Sequence, residues 1–314
     1  MNNLPKKYPV PSKILANQSI SFSEYEKLYK LSIENPNIFW FEQSKTLDWI
    51  ETPKVVGESD FTDGAKISWF KDGKINASAN CLDRHLSAIP EKVAIIWEGD
   101  DPSEVLKITY KELYEKVCQL SNALIEIGVK KGDRITIYLP MIPEAAISML
   151  ACSRIGAIHS VVFGGFSPES LKNRIQDCDS SYIITANEGI RGGKIIPLLQ
   201  NVKESIKDID FIKKTIVVKR TNNTSYFDPQ KDLWYEEITK DQKKHSPISV
   251  QNSEDPLFIL YTSGSTGTPK GVLHTTAGYL LHASLSHKLV FDLKDDDIFW
   301  CSADVGWVTG HSYI

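Results

Sequence analysis

The stretch Leu257-Phe258-Ile259-Leu260-Tyr261-Thr262-Ser263-Gly264-Ser265-Thr266-Gly267-Thr268-Pro269-Lys270-Gly271 decides how this chain is read. Its first five residues form an unbroken apolar run, the pattern of a strand buried on both faces. Gly264, Gly267, Pro269 and Gly271 then follow within eight residues, which ends any strand or helix interior. Glycines let backbone N–H groups close on a ligand, and successive N–H groups in such a turn form an anion-binding nest. Thr262, Ser263, Ser265 and Thr266 add hydroxyl donors, and Lys270 adds a mobile positive charge. That set suits a polyphosphate. It is not the Walker arrangement, because Lys270 follows Pro269 and Gly271 stands where the magnesium-binding hydroxyl belongs. A P-loop kinase is therefore disfavoured. On composition alone, a polar surface turn stays equally open.

The rest of the chain sets the class. Its 314 residues leave room for two or three compact units, and 41% apolar with 24% charged residues is ordinary for a soluble globular protein. A net charge of −4 without long lysine or arginine runs argues against a nucleic-acid partner. The five cysteines, Cys81, Cys118, Cys152, Cys178 and Cys301, form no C-x-x-C pair and are odd in number. They read as reduced thiols of a cytoplasmic protein rather than a disulfide framework or zinc site. No apolar run is long enough to span a bilayer, so no membrane partner is expected. Residues 1–20 carry Lys6, Lys7 and Lys13, with Pro5 and Pro11 opposing an amphipathic helix, and read as an irregular arm.

Outward from the opening stretch, periodicity alternates between strand and helix. Helices are expected over 23–34, capped by Ser23 with Glu26, and over 36–48, with short strands and turns over 50–78. Asn80–Leu86 reads as helical. Val93–Trp97 and Lys107–Tyr110 read as a hairpin. Thr109 with Glu112 makes a capping box before Leu113, Val117, Leu120 and Leu124 at helical spacing. Strands are expected at Arg134–Leu139, Ile158–Phe163, Ser181–Thr185 and Thr215–Val218. Helices are expected at Pro143–Ile155, from Pro168 after the cap Ser167, at 194–206 and at Thr276–Leu289. The alternation predicts an α/β fold with a doubly wound, mainly parallel sheet. A polar connector over 221–252, with a short element near Leu233–Ile238, would join a lobe at 79–220 to one at 253–314. There the runs at 257 and Ile298–Cys301 would start a second sheet. Asp295-Asp296-Asp297 beside Lys294 reads as a solvated turn, and His85 as structural. The chain stops inside the motif-like stretch Ala303–Ile314, which reads as the front part of a longer enzyme.

Several stretches together carry a resemblance. They are Asn80-Cys81-Leu82-Asp83-Arg84-His85-Leu86, Ile95–Asp100, Tyr138-Leu139-Pro140-Met141-Ile142-Pro143-Glu144, His159–Ser167, Arg191-Gly192-Gly193-Lys194, 257–279 and Ala303–Tyr313. From about residue 20 onward the chain resembles the acetyl-CoA synthetases, AMP-forming acetate–CoA ligases of the adenylate-forming superfamily. The resemblance implies a family-type N-terminal helical segment at 21–78 and a truncated AMP-binding domain at 79–314. That domain would be the incomplete N-terminal large domain of the adenylate-forming fold.

The implied reaction joins ATP and acetate into acetyl-adenylate and pyrophosphate. The CoA thiol then attacks after a C-terminal domain rotates. By the same resemblance, Thr262, Ser263, Gly264, Ser265, Thr266, Gly267 and Lys270 would wrap the ATP phosphates, with Mg2+ sharing that work. Arg191, Gly192, Gly193 and Lys194 would hold CoA, which is consistent with a phosphate clamp of Arg and Lys at a glycine turn. Phe163, Gly164 and Gly165 would border it. Val308 and Thr309 would lie where acetate and the pantetheine end meet, while Trp307 and His311 would pack. No residue here is assigned as acid, base, nucleophile or metal ligand. The acyl-pocket tryptophan, the hinge and the catalytic lysine would lie in the missing C-terminal part. Thr268 departs from the lysine frequent in the family. Rival readings are a propionate ligase of the same family and a non-catalytic nucleotide- or CoA-binding fragment.

Overall fold

The computed structural model describes residues 8–262, 267 and 269–314. Two units divide the chain. The larger comprises Asp48–Leu280 and Trp300–Ile314, and the smaller comprises residues up to Leu47 with Leu281–Phe299.

A seven-stranded sheet centres the larger unit. Its strands are Arg134–Tyr138 (β1), Ile158–Val161 (β2), Tyr182–Ala186 (β3), Lys214–Val218 (β4), Asp232–Trp234 (β5), Pro256–Thr262 (β6) and Lys270–Thr275 (β7). They lie in the order β5-β4-β3-β1-β2-β6-β7, all parallel except the last pair. Every residue of β3 is buried, as a parallel strand covered on both faces requires. Helices Tyr110–Glu126, Pro143–Ile155, Pro168–Asp177 and Leu198–Ile206 supply the covers and crossovers. The Thr109–Glu112 capping box forms as expected, with the Glu112 amide donating to Thr109 Oγ1 at 3.2 Å. Pro143 begins its helix and Gly156, at φ 74°, ends it.

The doubly wound α/β class holds, and four expectations change in detail. First, the run at 257 does not open a second sheet, because β6 pairs in parallel with β2, Phe258 opposite His159. Ile298–Cys301 is no strand at all. Ile298 is 79% and Trp300 83% exposed, because an apolar run becomes a strand only where another strand meets its backbone groups. Second, the helix expected from 194 starts at Leu198. Gly189–Arg191 and Lys194–Ile196 pair instead as a hairpin, turned by Gly192 at φ 57° and Gly193 at φ 70°. Two successive positive φ angles make the turn whose twist suits a two-residue hairpin. Third, the 221–252 connector contributes β5, the far edge of the sheet, and the helix Tyr235–Thr239. Fourth, the N-terminal arm carries a helix at Ser12–Asn17.

In the smaller unit, the helix Phe22–Glu34 takes its capping box from Ser21 and Glu24, two residues before the expected pair. Both pairs have the required spacing, and the earlier one adds length to the helix. Lys294 N–H donates to Asp297 Oδ2 at 2.8 Å, so the acidic run closes a turn as expected. Among the described residues, no group of three His, Cys, Asp or Glu could hold a metal ion. Among the same residues, no helix is long and apolar enough to cross a membrane.

Arg154 is almost fully buried, with Nη1 and Nη2 donating to both Asp83 oxygens at 2.8 and 3.0 Å and Nε to the Ser246 carbonyl at 2.9 Å. A buried guanidinium is tolerable only with such a set of acceptors. At the end of the sheet away from β5, β7 pairs with β6 alone among the described strands.

Candidate functional site

The crossover from β1 runs to β2 on one side, and that from β3 runs to β4 on the other. Because β1 and β3 are neighbours, the sheet has a switch point at their carboxyl ends, where loops part and leave a crevice. Four of the stretches singled out in the sequence leave from this edge, at residues 139–142, 162–167, 187–197 and 262–270.

The 262–270 loop is the tip of the β6–β7 hairpin. Thr262 faces Lys270 across the ladder, which sets the hydroxyl and the ammonium on either side of the loop mouth. Gly267 has φ 81°, a conformation that favours glycine. Ser263, Gly264, Ser265 and Thr266 lie outside the described residues. The strand end is anchored by Tyr261, whose hydroxyl donates to Asp177 Oδ2 at 2.7 Å. Burial, and the bond to that carboxylate, push the Tyr261 hydroxyl well above its ordinary range. Arg174 lies between the rings of Phe166 and Tyr261, at 4.5 and 5.3 Å.

The Arg191–Lys194 turn is the tip of the second hairpin. Its two glycine amides are not free. Gly193 N–H donates to Asp100 Oδ2 at 2.6 Å, and Gly192 N–H to Asp100 Oδ1 at 2.9 Å. These bonds, Gly193 first, hold the Asp100 carboxyl below the usual carboxylate range. The backbone nest is thus filled by a carboxylate of the protein, leaving Arg191 and Lys194 as the groups that can meet an external anion. Arg191 lies over the Phe163 ring at 5.4 Å. Gly306 is pressed onto the same residue, since a Cβ there would come within 2.7 Å of the Phe163 backbone nitrogen. Burial raises the Asp304 carboxyl, opposed by the Gly306 amide and then by the Arg191 charge. Arg191, Phe163 and the 304–306 segment therefore converge, although sequence separates them widely.

Val308 and Thr309 open the short helix Val308–Ser312 and are exposed. Trp307 is also exposed, with one edge toward Phe166 at 6.5 Å. His311 is buried against Phe258, ring centroids 3.9 Å apart, which agrees with a packing role. The two hairpin tips stand at the ends of β6 and β3, with β2 and β1 between them. Three strand spacings put them roughly 14 Å apart at the sheet.

Residues 82–314 match the family described as AMP-binding enzyme. The chain belongs to that family. Residues 25–81 of this AMP-binding enzyme match a second family, described as acetyl-coenzyme A synthetase N-terminus. Proteins named acetyl-coenzyme A synthetase are similar to it along nearly its whole length. That of Bradyrhizobium sp. (strain ORS 278) is 53% identical over 310 residues, and that of Bradyrhizobium diazoefficiens is 54% identical over 310 residues. Each alignment takes in 98% of this chain and 48% of the relative, so the chain spans about half the length of the curated relatives it matches. A solved structure of acetoacetyl-CoA synthetase from Streptomyces lividans superposes with a TM-score of 0.84 at 23% identity, over 96% of this chain and 45% of the other. That likeness concerns the fold.

One residue of this AMP-binding enzyme's edge escaped the sequence reading. Asp100 reads only as part of a hairpin turn. The signal that could have found it is the pair Gly192-Gly193, whose outward amides need an acceptor. All five cysteines are free, and burial pushes the thiols of Cys81 up to about 11 and Cys152 up to about 12. Cys81 and Cys152 are thus too poorly ionised to act as nucleophiles.

Proposed function

We propose that the chain forms the nucleotide- and CoA-holding part of a cytoplasmic acetate–CoA ligase. Such an enzyme converts acetate, ATP and CoA into acetyl-CoA, AMP and pyrophosphate through acetyl-adenylate. The observation that carries this reading is the placing of the Thr262–Lys270 hairpin and the Arg191–Lys194 turn at one sheet edge. It does so in a chain 53% identical to proteins named acetyl-coenzyme A synthetase.

Thr262, Ser263, Gly264, Ser265, Thr266, Gly267 and Lys270 close on the ATP phosphates. Lys270 meets charge that grows on pyrophosphate as it departs, so it contributes more to the transition state than to ground-state binding. Arg191 and Lys194 hold a CoA phosphate, with Gly192 and Gly193 shaping the turn rather than donating to the ligand, because Asp100 already occupies their amides. Val308 and Thr309 border the acyl group and the thiol end of CoA. Magnesium would arrive bound to the nucleotide, since Mg2+ is usually held by substrate phosphates with few protein ligands. The described residues offer no cluster of their own for it.

Closure over the adenylate would belong to a following domain, a reading supported by relatives about twice as long as this chain. The full-length enzyme is expected to show acetate-dependent ATP–pyrophosphate exchange and CoA-dependent release of AMP. Residues 1–314 alone are expected to form no acetyl-CoA. Acetyl-CoA formation by the isolated chain, or exchange in the full-length enzyme that ignores acetate, would overturn the reading.

A further inference from the structure

Behind the helix Val308–Ser312, four side chains form one line of hydrogen bonds. Ser312 Oγ lies 2.6 Å from the Val308 carbonyl, Tyr279 Oη lies 2.8 Å from Ser312 Oγ, and His311 Nδ1 lies 2.8 Å from Tyr279 Oη. His311 Nε2 then lies 2.8 Å from His159 Nε2, and His159 Nδ1 is buried with no partner among the described residues. Proton order along this line can be deduced. A carbonyl only accepts, so Ser312 donates to Val308. Tyr279 must then donate to Ser312 and accept from His311 Nδ1–H. That leaves a lone pair on His311 Nε2, which accepts from His159 Nε2–H. The partnerless His159 Nδ1 is a bare lone pair. Reversing the order would put an N–H in that buried position and set two oxygen lone pairs against each other at Tyr279, a costlier outcome at both ends.

The order requires both imidazoles to be neutral, and their surroundings agree. Burial pushes His159 down to about 3. His311 is held well below its ordinary value by burial, then by His159 and His274. The groups facing the line are aromatic or uncharged: Phe258 is stacked between His311 and His274, and Cys81 and Tyr313 lie near Tyr279. His159 belongs to β2, and His311 to the helix that carries Val308 and Thr309.

We propose that His159, His311 and Tyr279 form a proton-ordered clasp that positions the helix Val308–Ser312 on the sheet, and with it the acyl end of the site. The positioning of the helix stands by itself, and the link to acetate rests on the function proposed above. Adding one proton, at His159 Nδ1, would leave the bond between the two rings in place but put a charge and an unmatched N–H in a buried position, which would weaken the clasp.

The test uses the full-length protein labelled with 15N-histidine. A through-bond N–N coupling between the two Nε2 atoms is expected, with His159 Nδ1 unprotonated. Absence of the coupling, or a protonated His159 Nδ1, overturns the proton order. In His311→Phe, which keeps a ring against Phe258, amide exchange over 308–312 is expected to rise about tenfold while 182–186 stays unchanged. The KM for acetate should rise about tenfold, with the KM for ATP changing less than about twofold. His159→Gln, which keeps an N–H near the same place, should recover most of the acetate affinity lost in His159→Leu. Unchanged exchange over 308–312, or equal increases in both KM values, overturns the positioning role. If the unaltered enzyme ignores acetate, the acyl assignment falls, and coupling and exchange still decide the clasp.

Discussion

The proposed ATP end and the proposed CoA–acyl end of the site are built in opposite ways. The first is one continuous hairpin, in which β6 leaves the core and returns as β7, with Thr262 and Lys270 adjacent across the ladder. The second is assembled from distant pieces: Asp100, Phe163, Arg191, Asp304, Gly306 and the clasp behind Val308. The first relies on local geometry and a charge at its mouth. The second relies on tertiary packing, and its backbone donors are already taken by an internal carboxylate. Glycine-rich turns that look equivalent in sequence thus differ in which of their groups can meet a ligand.

Three measurements would break or sharpen that contrast. Lys270→Ala should slow acetate-dependent ATP–pyrophosphate exchange about 100-fold, with the thioester step from preformed acetyl-adenylate much less affected. Equal slowing of both steps would erase the distinction between the two ends.

Acid should act on the second end. His159 is held near 3 by burial, so between the ordinary histidine value of about 6.5 and that point the unfolded chain binds a proton that the folded chain refuses. More protons on the unfolded state mean that stability is lost as pH falls. The loss is about 1.4 kcal/mol per pH unit, or roughly 2 kcal/mol between pH 6.5 and 5. Urea unfolding at the two pH values, compared with His159→Gln, isolates this share, and an identical acid response in the variant would contradict it.

Smallest is the surface charge. Arg191→Ala should raise the KM for CoA about tenfold and leave exchange unchanged. An effect on ATP alone would move Arg191 out of the CoA end.

The contrast also governs what the sequence could reveal. Features set by a few neighbouring residues were legible: the Thr109–Glu112 box, the Pro143 helix start, and the β-strands read from apolar runs such as 182–186. The hairpin at 189–196 carried a legible signal too, since Gly-Gly between short apolar runs favours a two-residue turn. Helical periodicity further along concealed it. Ser23 with Glu26 satisfied the same rule as Ser21 with Glu24, and spacing alone could not choose between them. Ile298–Cys301 failed for another reason, because apolar residues give strand propensity while pairing depends on a partner elsewhere. Asp100 filling the glycine amides, and the order of protons through His311, depend on contacts across 92 and 152 residues, which no local pattern encodes.

The rim strand β7 has a practical consequence. Val272 is 40% and Leu273 52% exposed, and on its outer side the strand offers backbone donors and acceptors that no described strand meets. Such a border is a template for any extended chain, including a second copy of itself. A concentrated preparation of these residues by themselves is expected to gather into dimers and then larger particles. A lysine at position 272 should keep such a preparation clear for longer.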